Sequence, residues 1–180
     1  GLYAVALDYC PIEGKGSAID LGIKIDGEYY HVDATWDDYS NTNQAVKHDE
    51  FGYNYFCITT EEIQRTRKVD LCPTDVPICS AVGANYYYHN SLILTKYDLS
   101  EIKRFAAEAA ERGLDKFSFK CGSIAVYREA INRLFVSSSE GFSAVGAAAK
   151  ANRKIDGSTY SYSWDAEICT ITIKFKFKNR

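Results

Sequence analysis

Residues 169–177, "CTITIKFKF", alternate strictly between apolar and polar side chains. Successive side chains on a strand point to opposite faces. Cys169, Ile171, Ile173, Phe175 and Phe177 therefore line one face, and Thr170, Thr172, Lys174 and Lys176 the other. Such a strand needs an apolar layer on one side and water on the other. A second alternating segment, with Tyr160, Tyr162 and Trp164 on one face, precedes it as a sheet neighbour. The apolar layer comes from helical patterns upstream. Ile102, Phe105, Ala106 and Ala109 fall at i, i+3, i+4 and i+7, behind Asp98 as N-cap with Glu101 at the capping-box position, and Gly113 ends the run. Ser123 caps a second helix with Ile124, Tyr127, Ile131, Leu134 and Phe135 inward, and a third, softened by Gly146, covers 141–151. With strands at 86–97 and 116–120, the order β-α-β-α-α-β-β predicts a small sheet backed by helices on one side, over residues 86–180.

The N-terminal half reads differently. "YAVALDY" (3–9) predicts a short helix with Ala4, Leu7 and Ala6 inward, broken by "PIEGKGS" (11–17). Asp26-Gly27 between "LGIKI" and "EYYHVDATW" is a type I′ hairpin signal. On its second strand Tyr30, Val32, Ala34 and Trp36 share one face, and Tyr29, His31, Asp33 and Thr35 the other. A polar loop (39–52), an aromatic strand (53–59) and a helix begun by Thr59 or Thr60 with Glu62 reaching back follow. Residues 68–85 carry two of the three prolines and no periodicity. The expected organisation is α+β: a core over 1–70, a linker over 71–85 and the helix-backed sheet over 86–180.

Composition narrows the function classes. The net charge of −3 over 180 residues offers nothing to nucleic acid or an anionic membrane. No run of 18 apolar residues exists to span a bilayer, and no signal peptide is evident. None of the six cysteines forms a Cys-x-x-Cys pair, so neither a metal site nor a cofactor is expected. Cys72 and Cys79 flank two prolines and suit a disulfide or two thiols. Met is absent altogether, which points to parent residues missing from the sequence.

One segment carries chemistry. "KIDGEYYHVDATWDD" (24–38) crowds Asp33, Asp37 and Asp38 beside His31 and Trp36. Asp26-Gly27, Tyr29-Tyr30, Val32-Asp33 and Thr35-Trp36 occur in the order found in transglutaminase-like proteins, whose pattern runs His-Ala-Trp-Asn, a strand, Asp-Gly, then an aromatic strand ending Val-Asp-x-Thr-Trp. The chain resembles bacterial members of that superfamily, and "YNYFCITTEEI" and "ANYYYHNSLILTKYD" resemble segments that follow in some of them. The resemblance implies a partial papain-like core, an antiparallel sheet plus helix, with a C-terminal α+β extension. It implies a cysteine hydrolase or acyltransferase acting on peptide or amide bonds through a Cys-His-Asp triad. Asp33 would be the carboxylate that fixes the tautomer and angle of the histidine, with Trp36 and Tyr30 shaping the site. It further implies a protein or peptide substrate, such as a cell-wall component, and a place outside the cell or at a bacterial surface, the cytoplasm being the alternative.

Two triad positions are not met. The family histidine falls at Ala18, fifteen residues before Asp33, and the nucleophile should precede "YAVALDYC". A local substitute would combine Cys10, His31 and Asp33, the last two on one strand face. Read on its own residues, Asp33 is also a strand-end carboxylate capping the 37–40 turn, with Asp37 and Asp38 as turn residues. A catalytically inactive descendant that binds a protein or cell-wall component at the old cleft is the other functional class. His48 and His89 suit a surface, and Tyr86-Tyr87-Tyr88 a buried aromatic face.

Overall fold

The computed structural model describes residues 3–11, 18–37, 52–65, 67–68 and 77–178; at 3–11, 18–21, 35 and 67–68 it describes the backbone only. The fold is mixed α+β, with an antiparallel sheet and a mixed sheet plus helices. The chain divides into two units, Gly1–Asn90 and Ser91–Arg180.

The first unit is a five-stranded antiparallel sheet, β4-β3-β2-β1-β5, from β1 (Tyr3–Pro11), β2 (Ala18–Ile25), β3 (Glu28–Val32), β4 (Phe56–Ile58) and β5 (Arg67–Lys68). Asp26 (φ 51°) and Gly27 (φ 93°) both take the left-handed conformation that a type I′ hairpin requires between β2 and β3. The expected N-terminal helix is a strand. In "YAVALDY" Tyr3, Val5, Leu7 and Tyr9 also alternate with smaller residues, and pairing from Tyr3↔Lys24 to Tyr9↔Ala18 decides between the two periods. Between β3 and β4 the register shifts, and Cys57 (φ 56°) is the extra residue of a bulge. One face of the sheet buries Ile23, Tyr30, Val32 and Cys57.

Short helices finish this unit: α1 (Ala34–Asp37), α2 (Thr60–Ile63) and α3 (Tyr86–His89). The capping box on α2 forms as expected. Thr59 Oγ1 accepts from Glu62 N–H at 3.2 Å, while Glu62 Oε2 accepts from Thr59 N–H at 3.0 Å. The strand expected from residue 86 instead begins as α3, because Asn85 caps it: Asn85 Oδ1 accepts from Tyr87 N–H at 3.1 Å. Thr60 N–H donates to Cys79 O at 2.8 Å, and Asn85 Nδ2 to Phe56 O at 3.1 Å, so residues 77–90 belong to the first unit.

The second unit has the sheet β6-β7-β9-β8, from β6 (Ile93–Leu94), β7 (Lys116–Cys121), β8 (Ile155–Asp165) and β9 (Thr170–Phe177), with β6 and β7 parallel and the other pairs antiparallel. Phe117, Phe119, Ile171, Ile173 and Phe175 from the strands pack with Ile102, Phe105, Ala106 and Ala109 of α4 (Leu99–Glu111) and Ala144, Val145 and Ala148 of α6 (Gly141–Ala151). Asp98 caps α4 by accepting from Ser100 N–H at 2.8 Å. The second helix is shorter than expected: α5 (Ile124–Ile131) passes into a π-helical turn, Asn132–Val136. Ile124, expected inward, is 44% exposed. No described helix is long and apolar enough to cross a membrane.

Candidate functional site

The residues around Asp33 come together where β3 ends. The β3–β4 ladder runs one step past the strand, Asp33 N–H donating to Tyr55 O at 3.1 Å. The chain then turns into α1, with Asp33 as its cap: Asp33 Oδ1 accepts from Trp36 N–H at 3.0 Å. Asp33 is fully buried, so it is not the solvated carboxylate that a polar strand end suggests. Its cap is also local, on 34–37 rather than 37–40; Asp38 and the rest of that turn lie outside the described residues.

Asp37 differs more from its turn reading. It is buried, and its carboxylate accepts from Asn54 N–H at 2.8 Å and from Tyr55 N–H at 3.1 and 3.0 Å. Its own carbonyl accepts from Gly52 N–H at 2.8 Å. Asp37 thus ties α1 to the approach to β4, and an ionised acceptor makes those bonds stronger than neutral ones. Trp36 sits edge-on against Tyr55, ring centres 5.2 Å apart at 76°. Asn54 is held in turn by the Tyr87 hydroxyl, at 2.7 Å.

His31 shares the face of Asp33 and is fully buried. Its Nε2 lies 2.9 Å from Thr60 Oγ1. That oxygen also accepts from Cys79 N–H at 2.8 Å, so Thr60 joins His31 to residue 79 whichever ring nitrogen carries the proton. Burial lowers the His31 pKa to about 4, and the ring is neutral at physiological pH. A base so weak is poorly matched to proton transfer near pH 7, so the Thr60 contact positions rather than activates.

The register separates Cys10 from this site. His31 pairs with Gly22, which pairs with Val5, and Cys10 lies five residues further along β1. At about 3.3 Å per residue and 4.8 Å between strands, the two backbones are roughly 19 Å apart. A Cys10–His31–Asp33 triad is therefore not assembled. Cys57 and Cys79 are buried, and burial pushes the Cys57 thiol up to about 11, the wrong direction for a thiolate. Tyr30, expected to shape the site, lies on the opposite face of β3 among Ile23, Val32 and Cys57. Trp36 is not on that face either, because the strand stops at Val32. His89 is exposed; His48 and Cys72 lie outside the described residues.

Sequence reasoning missed Thr60, Cys79 and Asn54 as site partners. Thr60 alone had a signal, since the capping box beside it fixes the start of α2. No family model matches the chain, and no curated protein matches it.

Proposed function

We propose that the first unit is a transglutaminase-like module with a papain-like ancestry, and that Asp33 is the orienting acid of a Cys-His-Asp triad. The protein that carries it is a cysteine hydrolase or acyltransferase acting on peptide or amide bonds of a protein or cell-wall substrate outside a bacterial cell. The observation that supports this most is the complete burial of Asp33 at the end of β3, where its backbone N–H and one carboxylate oxygen are both fixed. A carboxylate held that way can fix an imidazole's tautomer and angle with one hydrogen bond. Continuing the pairing Leu21↔Val32 sets Asp20 opposite Asp33 and residue 18 one same-face step beyond. That is where the resemblance puts the histidine, and Ala18 occupies it.

The mechanism implied is attack of a thiolate on an amide carbonyl, formation of an acyl-enzyme with release of the amine, then hydrolysis or transfer to a second amine. Among the described residues, Asp33 is the member of such a triad that stands in place. By itself this chain does not turn over amide substrates; turnover abolished by Cys10→Ala would contradict that. A second reading, a non-catalytic descendant that binds at the old cleft, is favoured by Ala18 and by the engagement of His31 Nε2 with Thr60. The test is Asp33→Asn in the complete protein. A normal melt with turnover reduced about 10²–10⁴-fold supports the enzyme. Wild-type turnover in that variant removes Asp33 from the mechanism, and a complete protein without turnover leaves the binding reading.

A further inference from the structure

β8 is the last strand of its sheet: β9 pairs with one side, and no described strand pairs with the other. Residues 161–164 are exposed in succession. Tyr162 and Trp164 are 46% and 49% exposed, and Phe142, which meets Tyr160, 49%. Edges of this kind are ordinarily blunted by Lys, Pro or an inward charge. The run "YSYSW" (160–164) carries none of these. The one such device is a register shift between Asp156 and Tyr160, where Ser158 N–H and Oγ–H both donate to Asp156 Oδ1, at 2.9 and 2.6 Å. It leaves 160–165 as a regular open edge.

The aromatic side of this edge is packed ring against ring. Tyr162 stacks on Phe135 at 4.0 Å and 13°, and on Trp164 at 5.5 Å and 18°. Phe142 meets Tyr160 edge-on at 5.0 Å. The start of α6 is tight against this group: a Cβ on Gly141 would lie 2.3 Å from the Tyr160 hydroxyl. Rings held at fixed angles lose little freedom when covered.

We infer that this edge is a self-association surface, on which a second copy of this chain adds its own β8 antiparallel about a two-fold axis at Tyr162. The sequence is self-complementary in that register. Tyr162 faces Tyr162 of the second copy, and Tyr160 faces its Trp164, twice by symmetry. On the other face Ser161 meets Ser163, and Asp165 meets Thr159, so no like charges oppose. Moving the axis to Ser161 sets Trp164 against Ser158, and moving it to Ser163 sets Tyr160 against Ala166; each shift loses an aromatic pair. An unrelated strand would have to bring three aromatics at alternate positions, which a second copy does by identity. Two short strands bury less than the roughly 1,200 Å² of a stable interface, so the dimer is weak and concentration-dependent.

Sedimentation of the full chain from about 5 to about 500 μM reads this directly. The expected result is a concentration-dependent monomer–dimer equilibrium with nothing larger. Tyr162→Lys places two ammonium groups opposite each other and should give monomer throughout, with an unchanged circular dichroism spectrum. Tyr162→Cys should cross-link into a disulfide dimer with oxidised glutathione, whereas Ile78→Cys, at a site 84% exposed, should not exceed the wild-type baseline. This arm decides the matter even if Tyr162→Lys unfolds. Monomer at every concentration, a dimer that survives Tyr162→Lys in a folded protein, or equal cross-linking at 78 and 162 would overturn the inference.

Discussion

The two units bury different things. The second packs Phe105, Phe119, Ile171 and Ile173 against one another in a large apolar cluster spanning strands and helices, with Lys120 and Thr170 as buried polar residues among those described. The first buries the small apolar set Ile23, Tyr30, Val32 and Cys57 on one side, and places His31, Asp33, Asp37 and Asn85 inside as well. Apolar burial is non-directional and tolerates small shifts. Buried polar groups require particular partners, and each partner lost costs more than the bond contributed. The second unit thus rests mainly on apolar packing, and the first depends more on proton state and geometry together.

The largest effect that separates the units should come from Phe119→Ala. Phe119 is fully buried in the second core, and its truncation should cost about 3–5 kcal/mol. Each unit carries one of the two tryptophans, Trp36 and Trp164, so denaturant unfolding followed in Trp36→Phe and Trp164→Phe backgrounds reads them separately. The loss should fall on the transition reported by Trp164; equal loss in both would break the comparison.

Asp37→Asn should cost the first unit about 1–3 kcal/mol, because an amide group then meets the backbone N–H groups of Asn54 and Tyr55. A turn residue at the surface would change stability by less than about 0.5 kcal/mol, so an unchanged Trp36 transition would restore the turn reading.

Acid should also act on the first unit. His31 is held near a pKa of about 4 when folded and returns toward 6.5 when unfolded. Below about 6.5 the unfolded chain binds a proton that the folded one refuses, so stability falls with pH until the folded ring also titrates near 4. Between pH 7 and 4.5 the loss from this group is about 2.5 kcal/mol. The difference in pH slope between wild type and His31→Gln isolates it, and equal slopes would contradict the assignment. The smallest effect sharpens the comparison: Thr59→Ala removes the α2 capping box and should cost about 1 kcal/mol, again in the first unit.

The same contrast explains what could be read from the sequence. The second unit's helices and closing strands were legible because apolar burial writes a period of 3.6 or 2 into the chain. One miss there, the π-helical turn after Ile131, left the apolar spacing almost unchanged, and another, Ile124, sits exposed at the start of its helix. The first unit was legible at Asp26-Gly27 and Thr59–Glu62, where local chemistry fixes the backbone. It was misread at 3–9, where Tyr, Val and Leu satisfy both periods and a long-range pairing chose. It was misread again at Asp37 and at 86–89, where a side chain bonding to distant or neighbouring backbone leaves no periodic trace. Asp33 is singled out by its motif, but its backbone and cap partners, Tyr55 and Trp36, are not joined to it by pattern alone.

An NMR titration of the His31 imidazole tests most directly that the first unit keeps this ring dry and neutral. The predicted result is a pKa near 4. A pKa near the ordinary 6.5 would mean that water reaches His31, and would contradict the account.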